Sequence, residues 1–235
     1  MSNGPLYEPR DAAREYGELA LNIYTGCPHR CYYCFAPNVL HRTREAFHSN
    51  IAPRDGIVER LRRQLEKESI TGKTVHLCFT CDLYPTGFDS IATRECIQLL
   101  KEAGNHVQIL TKGDGRRDLD LLDGEDWYGI TISGYWGAEP QSVSPAERGY
   151  AMNNAHEAGI RTWISFEPVV SADDVLADIN FYARAGWVDK VKIGKLNYHP
   201  SDIDWKKFGH KVENLCRSLG LEYYIKESLR KEMEA

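Results

Sequence analysis

Residues 26–37 read GCPHRCYYCFAP, in which Cys27, Cys31 and Cys34 are separated by three and then two residues, with two tyrosines between the last pair. Thiols crowd in this way when they share a metal, because the thiolate is a strong ligand for soft cations. Three readings are open. A structural zinc ion takes four ligands in a closed tetrahedron, and His29 or His41 would have to supply the fourth. Buried free cysteines would want apolar neighbours, whereas Pro28, His29, Arg30 and Asn38 make this loop polar. A 4Fe-4S cluster held by Cys27, Cys31 and Cys34 as metal ligands leaves one iron without a protein ligand, a place for another molecule to bind.

The chain around this loop has 235 residues, 42% hydrophobic and 11% aromatic, enough for one substantial core, and it reads as a single domain over 1–235. No run of about 18 apolar residues and no export signal is visible, so no membrane span is expected. Seven cysteines without a secretory segment read as reduced thiols or metal ligands, which points to a cytoplasmic setting. The net charge of -5 argues against a polyanion binder driven by bulk charge, and Arg60, Arg62, Arg63, Arg116 and Arg117 read first as solvated faces.

Short β-branched or aromatic runs occur at 20–24, 74–79, 106–110, 128–133, 161–166 and 190–194, with LEYYI (221–225) as a seventh candidate strand. Helical patterns lie between them. Ile57, Leu61 and Leu65 fall four apart, and Ile97, Leu100 and Ala103 precede Gly104 as a stop. Ser144-Pro145-Ala146-Glu147 has capping-box spacing, Ser171-Ala172-Asp173-Asp174 opens a further helix, and Trp205, Phe208, Val212, Leu215 and Leu219 line the apolar side of the last. Alternating strands and helices imply a parallel α/β sheet with right-handed crossovers, either barrel-like or doubly wound. The cysteine loop follows the first strand, where barrels place their chemistry.

Cys27, Cys31, Tyr33 and Cys34 match C-x3-C-x-aromatic-C, and the chain thereby resembles the radical S-adenosylmethionine (SAM) superfamily. A finer resemblance, to its spore photoproduct lyase-like branch, is carried by residues 22–34, FTCDLYP (79–85), TRECIQLLKEAG (93–104), ILTKG (109–113), RDLDLL (117–122) and ISFEPV (164–169). The resemblance implies a partial (β/α)6 TIM-like barrel with a core over about 20–200 and a C-terminal helix and short strand over 202–228. It implies one 4Fe-4S cluster and SAM as cofactors, and an enzyme that cleaves SAM to a 5′-deoxyadenosyl radical and abstracts hydrogen. Tyr33 would pack near the adenine, Lys112 would approach the SAM carboxylate and Ser133 the ribose. Thr80, Asp82, Glu167, Lys195 and Asn197 complete the cofactor cradle so implied. Cys78 and Cys81 bracket the place of the branch's hydrogen-donating cysteine and are the catalytic candidates, although Cys78 also reads as a core strand residue. Where the lesion-repair enzymes carry a tyrosine after the last cluster cysteine, this chain has Phe35, which has no O–H to donate.

With only Cys96 and Cys216 remaining, no second cluster is expected. A reductant such as flavodoxin or ferredoxin is an implied partner. A six-strand barrel with a wide lateral opening suits a macromolecular substrate, nucleic acid ahead of peptide, presented alone or by a partner protein. Tyr32, Trp136 and Trp187 are candidates for stacking on bases. Two other classes compete: a nonenzymatic iron-sulfur or zinc sensor, and an α/β-barrel enzyme using Asp82, Glu167 or a histidine in acid-base chemistry.

Overall fold

The structure is a computed structural model that describes residues 4–235. Eight strands form one sheet in sequence order: β1 (Leu6–Tyr7), β2 (Leu19–Leu21), β3 (Thr74–Leu77), β4 (His106–Ile109), β5 (Trp127–Thr131), β6 (Arg161–Val169), β7 (Lys190–Lys195) and β8 (Glu222–Ile225). β1 pairs antiparallel with β2, and every later neighbour is parallel.

The register separates two faces. Val75 pairs with Val107, Leu77 with Ile109, Ile130 with Ile164 and Phe166 with Ile193, all buried, so one face is apolar. Against it pack α3 (Ile57–Glu68), α4 (Ile91–Glu102), α5 (Pro145–Glu157), α6 (Ala172–Ala185), α7 (Trp205–Leu219) and α8 (Glu227–Glu234), through residues such as Leu61, Ile97, Met152, Ile179, Val212 and Leu229. The other face pairs His76 with Gln108, Gly129 with Trp163 and Ser165 with Lys192. The sheet rolls around this polar set: the Trp163 indole on β6 donates to the Ile109 carbonyl of β4 at 2.9 Å. A Cβ on Gly129 would stand 2.1 Å from that indole nitrogen, so only glycine lets the ring lie across the lumen.

The expected cap at Ser144 is present, its hydroxyl accepting from Glu147 N at 3.2 Å with Pro145 in the first turn. α6 and α7 stop at Gly186 and Gly220, both left-handed. Several boundaries differ from the sequence reading. The first parallel strand stops at Leu21 and the next at Leu77, because the chain turns there to build the site, while β6 runs on to Val169 through a register shift after Phe166. β1 was not expected, two residues being too few to show a period. Nor were α1 (Ala36–Val39), α2 (Arg44–Ser49) and α8, the first two of which are single turns inside the cysteine loop.

Candidate cluster and cofactor site

The loops after β2, β3, β4 and β5 and the ends of β6 and β7 carry the candidate residues. The loop after β2 carries Cys27, Cys31, Tyr33 and Cys34, and the loops after β3 and β4 carry Asp82 and Lys112. Ser133 follows β5, Glu167 lies on the outgoing end of β6, and Lys195 ends β7. Local hydrogen bonds fix the cysteine loop. The guanidinium of Arg44 donates to the carbonyls of Cys31 at 2.6 Å and Cys34 at 3.3 Å. The Cys27 carbonyl is 2.8 Å from Nδ1 of His48, and Cys27 N donates to the Phe47 carbonyl. α2 therefore clamps the backbone of all three cysteines, while the Cys27 and Cys34 sulfurs accept from the backbone N–H groups of His29 and Ala36.

Burial pushes each of these thiols up, Cys31 to about 12, with Asp82 adding to the effect at Cys27. Thiolates here need a cation larger than the neighbouring Lys112 supplies. A single tetrahedral ion with bonds of about 2.3 Å would draw its sulfurs to within about 4 Å of one another. Among the described residues the set whose ligand atoms lie within 4.8 Å of one another is His106, Asp123 and Asp126, not the cysteines. His29 is turned away as well: its Nε2 accepts from Thr86 N at 3.3 Å and its Nδ1 stands 3.5 Å from Asp82. His41 is exposed. The donor set fits a polynuclear cluster with three thiolate corners and does not fit zinc.

Asp82 is a hub rather than a free acid. Its Oδ1 accepts from Tyr84 N and the Thr111 hydroxyl, and its Oδ2 accepts from Lys112 N at 2.8 Å, which fixes the turn from which the Lys112 side chain leaves β4. Burial works against the Lys112 charge, but Cys31, Glu139 and Asp82 outweigh it and raise its pKa. Its ammonium lies 5.7 Å from the centre of the Tyr33 ring. No carboxylate among the described residues pairs with it directly. The Tyr33 hydroxyl donates to Glu139, whose other oxygen accepts from the wholly buried Arg148 at 2.6 Å. Glu139 and Arg148 were not singled out in the sequence, since a carboxylate and an arginine nine residues apart across a loop make no pattern.

The remaining expected residues divide. Ser133 donates to the Tyr135 carbonyl at 3.2 Å. Thr80 is held by Asn22 through its N–H and touched by Arg54 at 3.4 Å. Cys78 lies just past β3, buried in a left-handed conformation (φ 68°). Its thiol donates a hydrogen bond to the sulfur of Cys81, which also accepts from Tyr24 N at 3.4 Å, so the pair adjoins the start of the cysteine loop. Glu167 accepts from Lys226 at 2.7 Å and from the Tyr16 hydroxyl. Tyr16 stands inside the barrel against His76, Phe79 and Trp163. Lys195 pairs with Glu232, and Asn197 donates back to the Lys195 carbonyl. The mouth thus gathers the three cysteines, Tyr33, Asp82 and Lys112, while Glu167 and Lys195 are engaged elsewhere.

The sequence matches no protein-family model and no curated protein. Solved structures do match. A mutant of spore photoproduct lyase superposes with a TM-score of 0.72 at 14% identity, covering 93% of this chain and 79% of that one. A double mutant with bound AdoMet and dinucleoside spore photoproduct gives a TM-score of 0.70 at 14% identity, over 93% and 78%. The fold is the radical SAM type of partial TIM-like barrel. Streptococcus suis SuiB bound to its precursor peptide SuiA shares it, with a TM-score of 0.64 at 14% identity over 92% of this chain and 50% of SuiB. Within this radical SAM-type barrel the cysteine loop occupies the carboxyl mouth, the position from which the strands present their ends to a ligand. No helix among the described residues is long and apolar enough to cross a membrane.

Proposed function

We propose that this chain is a radical SAM enzyme. Cys27, Cys31 and Cys34 hold a 4Fe-4S cluster, and the observation that carries the reading is three thiols, buried or partly buried and too widely set for one ion, near a lysine with no carboxylate partner among the described residues. When bound, the cluster and SAM supply reductive cleavage of the sulfonium to a 5′-deoxyadenosyl radical that abstracts hydrogen from a substrate. The chain's own residues prepare that chemistry. Lys112, oriented by Asp82, offers its ammonium to the SAM carboxylate. Tyr33, tethered by Glu139, offers a ring face at the same place, and Arg44 and His48 keep the cysteine backbone from moving as the cluster changes charge. Cys81, in contact with Cys78 beside this loop, is the thiol best placed to exchange a hydrogen atom with a substrate radical.

Electrons come from a reductant of the flavodoxin or ferredoxin kind, and the cytoplasm is the setting that keeps seven thiols reduced. The rim supports a macromolecular substrate: Tyr32, Phe35, Tyr135, Trp136 and Tyr198 all stand exposed on crossover loops. Of the neighbours in fold, one binds a dinucleoside and another a precursor peptide, so both classes fit this architecture. The test is anaerobic reconstitution with iron and sulfide followed by electron paramagnetic resonance. A reduced-cluster signal that shifts on adding SAM is expected, and a protein that binds zinc in preference and shows no such shift would overturn the reading.

A further inference from the structure

His29 is 1% exposed and its Nδ1 makes no hydrogen bond among the described residues, although the ring lies against the carboxylate that holds the Lys112 turn. The other nitrogen fixes the tautomer. Thr86 N can only donate, and it meets Nε2 at 3.3 Å, with the Thr86 hydroxyl 3.1 Å from the same nitrogen. A ring that accepts at Nε2 is neutral and carries its one proton on Nδ1. That N–H stands 3.5 Å from Oδ2 of Asp82, the oxygen that accepts from Lys112 N at 2.8 Å. A shift of about 0.5 Å brings it into hydrogen-bond range. Buried donors rarely go unspent, so a donor held this close to a carboxylate calls for a reason.

The backbone of the same residue is tied to the cysteines. The His29 N–H donates to the Cys27 sulfur, and its carbonyl accepts from Gln141 N at 3.3 Å. His29 thus reaches from a thiol of the cysteine loop to the carboxylate that orients the lysine turn. We propose that His29 is a positioning residue that sets Lys112 against the cysteine loop by holding Asp82. The consequence for SAM rests on the enzyme reading above, whereas the joint between the two loops does not. With the Nδ1 proton on Oδ2, the carboxylate is fixed from the cysteine side as well as by Tyr84 N and the Thr111 hydroxyl, and the Lys112 ammonium keeps its place relative to the three thiols. Without that donor Lys112 keeps its charge and loses its placement. No proton moves in this role.

His29→Asn and His29→Leu separate the role from packing, because asparagine is smaller but keeps a donor near the place of Nδ1, and leucine keeps bulk without a donor. In the reconstituted full chain both variants hold wild-type iron, and His29→Leu is at least as stable to heat as His29→Asn. SAM affinity runs the other way: about tenfold below wild type in His29→Leu and within about threefold in His29→Asn. Adding His29→Leu to Lys112→Met weakens SAM binding little further than Lys112→Met alone, since one acts through the other. In the cluster-free full chain, nitrogen NMR finds the His29 proton on Nδ1, and the Lys112 amide resonance moves in His29→Leu and stays in His29→Asn. A proton on Nε2, SAM affinity that follows thermal stability, losses that multiply in the double variant, or iron lost from both variants would each overturn the proposal. A wild type that holds its cluster and ignores SAM counts against the enzyme reading alone: a Lys112 amide that follows the His29 donor then supports the joint, and one that does not overturns it.

Discussion

A Cβ on Gly26 would stand 2.3 Å from the Phe47 carbonyl oxygen and 2.9 Å from that of Asn50, so the residue before the first cysteine must be glycine for α2 to close over the loop. Gly26→Ala therefore forces backbone apart in a clamped region, at a cost of about 1–3 kcal/mol, and reconstituted protein should hold clearly less iron and sulfide per chain than wild type. Lys112→Met is a gentler probe: iron content should be unchanged while SAM binding weakens by about tenfold or more, because only a charge-assisted contact is lost. Equal SAM affinity in that variant would remove Lys112 from the site. The cysteines and Lys112 were legible because each carries its chemistry in its residue type and follows a strand-like run. Glu139 and Arg148 were not, nor were the contacts of His29 with Thr86 and Asp82, since these arise only when loops distant in sequence meet.

At the scale of elements, α5 is tied to the cysteine loop by Arg148, which reaches Glu139, the Thr131 carbonyl and the Val143 carbonyl from a position wholly out of water. Removing one partner strands a buried charge. Arg148→Met should cost about 3–5 kcal/mol in urea unfolding, and Arg148→Met with Glu139→Gln should recover much of that loss. A double variant as unstable as the single one would mean that the pair is not the tie. The strands β3 to β8 could be read from the sequence since each is a short apolar run between helix signals. Their ends could not, because Cys78 turns to a positive φ and Asn22 spends its side chain on the N–H groups of Phe79 and Thr80, tertiary effects that leave no trace in local pattern. Glu167 was expected in the cofactor cradle, and what drew it toward Tyr16 and Lys226 was a segment far away in the chain.

The molecule as a whole has a polar lumen into which Tyr16 reaches from the segment before β2. His76, inside it, accepts from Gln108 at 3.1 Å and has its pKa lowered to about 3 by burial and by the charges of Lys192 and Lys226. The unfolded chain takes up that proton near pH 6.5, the folded chain only near 3. Between those values the unfolded state binds more protons, so stability falls as pH falls, by up to about 1.4 kcal/mol per unit from this residue alone. His76→Gln should unfold in urea with a flatter dependence from pH 6.5 to 5, and an unchanged slope would place the histidine in water.

The central claim is that the cysteine loop runs SAM radical chemistry, and SAM cleavage tests it most directly. Protein reconstituted anaerobically with iron and sulfide is given dithionite and SAM, and 5′-deoxyadenosine is quantified beside a Cys27→Ala, Cys31→Ala, Cys34→Ala variant. The account predicts 5′-deoxyadenosine and methionine from the wild type and none above background from the variant. Equal product from both, or none from a wild type whose cluster is intact and whose spectrum ignores SAM, would contradict it.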